Sequence, residues 1–115
     1  MVIKMRVKDL IAGDIFEVLN EGDFDREITS VYCCDLLSWV MGRAPADSAW
    51  ITVMGNLNSI AVAVLADISV IILAENAPAD SAALEKAAGQ GVNILKTKKP
   101  AFEAGLIINK ELSHV

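Results

Sequence analysis

The sequence predicts an α/β fold: a single three-layer domain with a mainly parallel central sheet flanked by helices. Three observations lead there. From Trp50 onward, segments of strand character alternate with segments of helical character, and a β-α-β-α-β-α order implies parallel strands joined by right-handed crossovers. Val70-Ile71-Ile72-Leu73 is an unbroken run rich in β-branched residues, the pattern of a central strand covered on both faces. The chain has 115 residues, of which 54% are hydrophobic, enough for one core and too few for two ordinary domains.

Taken in order, residues 7–12 read as a short helix ended by Gly13, and 15–19 as a strand in which Ile15 alternates with Glu17. A turn covers 20–23. Strand 28–34 follows, and Asp35 is placed to cap a helix through Leu36, Leu37, Val40 and Met41, whose spacing sets them on one face, with Gly42 as its stop. Strand 50–54 leads into helix 59–66, which is apolar almost all round from 60 to 65. One side is expected on the sheet and the other on a second subunit or an internal neighbour. Residues 70–74 supply the central strand. Helix 79–88 enters through Asp80 and Ser81 after Pro78, carries a stripe of alanines with Leu84, and ends at Gly89 and Gly91. After strand 93–95, helix 100–112 opens with Pro100, where the missing N–H costs nothing, and is expected to bury Phe102, Leu106 and Ile107. Gly105 inside it either weakens the helix or marks a close contact.

Ten Lys/Arg against fifteen Asp/Glu give a net charge of −5 and a pI near 4.7, which argues against nucleic acid as a partner. Mean hydropathy is +0.46, yet the most apolar stretch, 60–74, is interrupted by Asp67 and Ser69, so no membrane span is expected. The first ten residues interleave Lys4, Arg6 and Lys8 with Val2, Ile3, Met5 and Val7, unlike a signal peptide, and a cytoplasmic location is expected. Cys33 and Cys34 are adjacent, a spacing unsuited to a strain-free disulfide, a zinc site or a redox CxxC pair, so both thiols are expected only to pack.

The single histidine, His114, sits next to the last residue, so no Ser-His-Asp, Cys-His or His-based metal site can be assembled around it. Asp14, Glu17, Glu21, Asp23, Asp25 and Glu27 lack a ligand spacing and read as a solvated acidic face. More informative is Gly55-Asn56-Leu57-Asn58-Ser59, which leaves a parallel strand and enters a helix. Ligands in open α/β sheets bind at the carboxyl ends of strands, and helix N-termini favour anions. Neither a GxGxxG nor a GxxxxGK[ST] pattern is present, and the segment also reads simply as a turn capped by Asn58 or Ser59. The loops after the next two strands bring Asn76, and Thr97 and Lys98 with Lys96 and Lys99, to the same edge, where the lysines read equally as an anion site or as a solvated loop that aids solubility. The ligand-binding set expected there is Gly55, Asn56, Asn58, Ser59, Asn76, Thr97 and Lys98, with no catalytic set, metal or cofactor.

The order Asp25-Arg26-Glu27-Ile28-Thr29, Asp35-Leu36-Leu37-Ser38, Trp50-Ile51-Thr52-Val53, Val70-Ile71-Ile72-Leu73 and Thr97-Lys98-Lys99-Pro100-Ala101-Phe102-Glu103 resembles the DRTGG domain family, over roughly residues 8–108. That family is similar in fold to the N-terminal domain of HPr kinase/phosphorylase and also occurs beside phosphotransacetylases and CBS modules. The resemblance implies one DRTGG-like domain over 1–115, a non-catalytic regulatory or ligand-sensing role, a homodimer, and an adenine nucleotide or other small anion as ligand. It also implies an alternative, an adaptor for a partner enzyme of a redox or hydrogenase system with no small-molecule ligand. The family's Gly-Asp-Arg-type turn falls on Gly55-Asn56-Leu57, so the glycine is kept while the arginine, a bidentate phosphate partner, is lost.

Overall fold

Period-two alternation in the strands explains how the layers form. Ala49, Ile51, Val70, Ile72 and Leu95 point to one face of the sheet, and Trp50, Ile71, Leu73 and Ile94 to the other. All nine are essentially inaccessible to water. A strand buried on both faces needs helices on both sides, and each of the large side chains contributes about 1.5–3 kcal/mol through its removal from water.

The computed structural model describes residues 4–112, so His114 and the first three residues, with Val2 and Ile3, lie outside it. The chain runs α1 (Val7–Ile11), β1 (Glu17–Asn20), β2 (Ser30–Cys33), α2 (Leu37–Arg43), β3 (Ser48–Thr52), α3 (Leu57–Leu65), β4 (Val70–Leu73), α4 (Ser81–Gln90), β5 (Ile94–Lys96) and α5 (Ala101–Leu112). The sheet order is β1-β5-β4-β3-β2. Strands β2 to β5 are parallel, and β1 pairs antiparallel with β5 at the edge. Helices α1 and α5 supply Val7, Leu10, Ala104 and Ile108 to one core. Helices α2, α3 and α4 supply Val40, Ile60, Ala63, Ala83 and Ala87 to the other. The three-layer, mainly parallel α/β architecture expected from the sequence is the one observed.

Several local expectations are corrected. Asp35 does not cap α2; its carboxylate is engaged by the Thr52 hydroxyl at 2.7 Å and the Val53 N–H at 3.0 Å. Leu36 occupies the cap position without a side-chain bond. The helix runs past Gly42 to Arg43, because its stop is Pro45, whose ring disfavours helical backbone at Ala44. Of the four residues expected on one face, Val40 is fully buried, while Leu36 and Met41 are about half exposed. In α4 the stop is Gly91, whose φ of 69° makes the left-handed cap, so Gly89 stays inside the helix.

The buried face of α5 is Ala104, Gly105 and Ile108, whereas Phe102 is 77% exposed, Leu106 is exposed and Ile107 only partly covered. The cause is close packing. A Cβ on Gly105 would lie 3.3 Å from both the Cys33 sulfur and the Ile51 side chain, so the larger residues must turn outward. Among the described residues, no helix is long and apolar enough to cross a membrane.

Candidate functional site

The carboxyl ends of β4 and β5 meet at a pair of loops that hold one another. Residues 74–77 form a type I′ turn: the Ala77 N–H donates to the Ala74 carbonyl at 3.0 Å, and Glu75 and Asn76 take φ of 58° and 57°. Asn tolerates this conformation; Glu does so only at a cost of order 1 kcal/mol. The turn is clamped by its outward N–H groups, Glu75 to the Lys99 carbonyl and Asn76 to the Thr97 carbonyl, each at 2.9 Å. Thr97 is itself buried, and its hydroxyl accepts from the Lys99 N–H at 3.2 Å.

Beside these loops lies an open cleft of about 760 Å³, within the size range of small-molecule sites. Asn76, Thr97 and Lys98 line it, joined by Lys96 and Lys99. The same cleft contains the carboxylates of Asp14, Glu17 and Glu103. Because β1 is antiparallel, its beginning lies beside the end of β5, with Glu17 opposite Lys96. Two members of the expected solvated acidic face therefore enter the candidate site. Among the described residues, none of Lys96, Lys98 and Lys99 is in an ion pair, unlike Lys4, Lys8 and Arg26.

The other four expected ligand residues do not line this cleft. Asn56, not Asn58 or Ser59, caps α3, its side-chain oxygen accepting from the Ser59 N–H at 3.0 Å. Ser59 is buried and its hydroxyl donates to the Met54 carbonyl. Asn58 is exposed in the first turn. Gly55 pairs with Ala79, its carbonyl accepting from the Asp80 N–H at 2.9 Å. A Cβ at Gly55 would collide with the Pro78 carbonyl, so the close approach this glycine permits is to the chain's own 78–79 segment.

At the amino end of the sheet, polar groups are knitted together. The buried Asn93 amide donates to the carbonyls of Asp23 and Ser69 at 2.7 and 3.0 Å and accepts from the Gly22 N–H at 2.8 Å. The Arg26 guanidinium meets Asp47 at 3.1 Å and Asp67 at 2.6 Å, two residues held at φ of 62° and 58°. Burial works against the Arg26 charge, but hydrogen bonds and attraction from Asp47 and Asp67 outweigh it and raise the pKa. Arg26 and Asn93 border a smaller cavity of about 210 Å³. Sequence reasoning missed this network, as it missed Asp35, because only the fold brings residues 20–27, 47, 67 and 93 together.

The two cysteines face opposite ways. Cys33 lies under α5 at Gly105, whereas Cys34 packs with the core on the other face. Adjacent strand residues alternate faces, so these thiols cannot chelate together. Cys33 is exposed rather than simply packed, and partial burial, then the Asp35 carboxylate, push its thiol up, which disfavours the thiolate. Among the described residues, no cluster of three or more His, Cys, Asp or Glu is arranged to hold a metal ion.

No family model matches the sequence, and no curated protein matches it. Among solved structures, the chain is similar to the CBS and DRTGG domains of the regulatory region of Clostridium perfringens pyrophosphatase, a structure complexed with the activator diadenosine tetraphosphate. The TM-score is 0.64 at 13% identity, covering 77% of this chain. This chain spans 39% of that structure. The likeness is one of fold.

Proposed function

We propose that this chain is a non-catalytic regulatory domain, a DRTGG-like α/β unit acting as a pair of identical copies, that senses an adenine nucleotide or other small anion. The observation that carries the reading is the cleft at the end of β5. Three lysines without an ion-pair partner among the described residues, and Asn76, presented on a strained and clamped turn, border a space large enough for a nucleotide. The fold it shares with a nucleotide-activated regulatory region supports the same reading.

The mixed charge of the cleft sets the ligand's chemistry. Lysines act on phosphate as point charges rather than as a bidentate fork, so binding is salt-sensitive and moderate in strength. Asp14, Glu17 and Glu103 are acceptors, matched to ribose hydroxyls or an exocyclic amino group rather than to further phosphates. A ligand with an anionic end and a donor-rich end fits both. Asp14, Glu17, Glu103 and the lysines of the cleft are read as groups that bind and orient the ligand rather than turn it over. A cytoplasmic setting suits the two unpaired thiols.

Thermal unfolding with ATP, diadenosine tetraphosphate or inorganic phosphate tests the proposal. A nucleotide at 100 times its Kd stabilises by about 2.7 kcal/mol, a clear rise in Tm. Replacing both Lys98 and Lys99 by Ala should remove most of that rise. A flat response to every compound sinks the sensing role. It would leave the second reading, an adaptor for a partner enzyme of a redox or hydrogenase type, which the exposed Phe102 and Trp39 favour.

A further inference from the structure

Helix α3 is Leu-Asn-Ser-Ile-Ala-Val-Ala-Val-Leu and contains no ionisable residue. Its inner face, Ser59, Ile60, Val62 and Ala63, is buried. Its outer face is mostly apolar, with Asn58 its one polar side chain: Leu57, Ala61, Val64 and Leu65 follow the i, i+4, i+7, i+8 spacing of one stripe and lie in solvent, with Leu65 70% exposed. Surface helices normally turn polar residues outward, so this face is built to be covered.

We propose that a second copy of this chain covers it, through antiparallel pairing of the two α3 helices about a two-fold axis at Ala61. This specifies the surface of the two-copy reading above and rests on it. Charge selects the occupant. Each copy carries −5, so two copies meet with least repulsion where neither presents an acidic group, and the outer face of α3 is such a place. A basic partner drawn to this acidic chain would instead be steered to its carboxylates.

The stripe is also self-complementary. Leu57 and Leu65 stand four residues either side of Ala61 and Asn58 and Val64 three, so antiparallel pairing sets Leu57 against the second copy's Leu65, and Val64 against its Asn58, each contact occurring twice as an isologous interface requires. The small side chain at the crossing lets the axes approach to about 8 Å. One helix of about 14 Å offers less than the roughly 800 Å² per partner of a standard interface. Helix α2 packs beside α3 and extends the face with the half-exposed Trp39, whose ring carries the Arg43 guanidinium 3.8 Å from its centroid.

The full chain is examined by sedimentation velocity at 10–100 µM, with circular dichroism as a check on folding. The wild type should sediment at twice 12.3 kDa. Ala61→Glu and Ala61→Lys, both at an exposed position, should each sediment at 12.3 kDa, and an equimolar mixture should recover the dimer through opposite charges at the axis. Leu65→Ser should weaken pairing at least tenfold, and serves if either Ala61 variant fails to fold. Dimers that persist in all the folded variants, or a mixture that stays monomeric, overturn the α3 contact while leaving the two-copy reading intact. A wild type that is monomeric at 100 µM overturns both.

Discussion

The two ends of the parallel sheet are built on opposite terms. At the amino end, Asn93 makes three hydrogen bonds from within the core, and Arg26 joins two aspartates that approach from different loops. At the carboxyl end, the lysines at the cleft have no ion-pair partner among the described residues, and Glu75 is held in a backbone conformation it does not favour. Satisfied polar groups lock a fold, whereas unpaired charge and held strain are useful only if something arrives to use them. The buried polar network thus sits at the amino end, while the carboxyl-end loops 74–77 and 97–99 hold one another through backbone hydrogen bonds.

The sharpest way to break this contrast is to truncate one residue at each end. Asn93→Ala strands the Gly22 N–H and two carbonyls in a buried site, and should cost about 3 kcal/mol, lowering Tm by roughly 10–15 °C. Lys98→Ala removes an exposed side chain and should change stability by less than about 0.5 kcal/mol while weakening nucleotide binding. Denaturant titration of both variants compares the ends directly. Equal losses would mean that the lysine loop is part of the scaffold.

How much of this was legible follows from whether the signal is local. The central strand and the three layers were readable because burial on both faces writes itself into four consecutive residues, 70–73. The direction of β1 was not, since nothing in residues 17–20 says whether the strand runs with or against β5, and so the entry of Asp14 and Glu17 into the cleft was invisible. The outward turn of Phe102 was hidden for a related reason. Apolar spacing identifies the larger residues of a helix, but the surface it meets, here Cys33 and Ile51 against Gly105, decides which side chains fit. Three of the expected ligand residues, Asn76, Thr97 and Lys98, do gather at one cleft, as a topological rule about strand ends anticipates, while Asn56 and Gly55 serve a helix cap and a backbone contact.

A smaller effect addresses the strain itself. Glu75→Gly relieves the positive φ and should raise stability by about 0.5–1 kcal/mol, partly offset by the greater entropy of the unfolded chain. If the strained turn exists to present Asn76, the same variant should bind nucleotide more weakly despite being more stable. A variant that gains stability and keeps its affinity would show that the turn's rigidity is irrelevant to recognition.

The smallest effect concerns Cys33, at the carboxyl end of β2, where burial and then Asp35 disfavour the thiolate. For an acid raised in the folded state, the unfolded chain loses its proton first as pH increases. The associated stability is therefore complete below the ordinary thiol range and is lost as pH climbs through the raised value. In a Cys34→Ser background, alkylation of Cys33 by iodoacetamide should be slower than that of a free thiol at pH 8.5 and should accelerate above it. Asp35→Asn keeps the oxygen that accepts from Thr52 and Val53 but removes the charge, so it should speed alkylation only part of the way to the free-thiol rate, burial being the larger cause. Full recovery of that rate would reverse the order of the two causes and make the carboxylate, not the packing of α5 over β2, the control on this thiol.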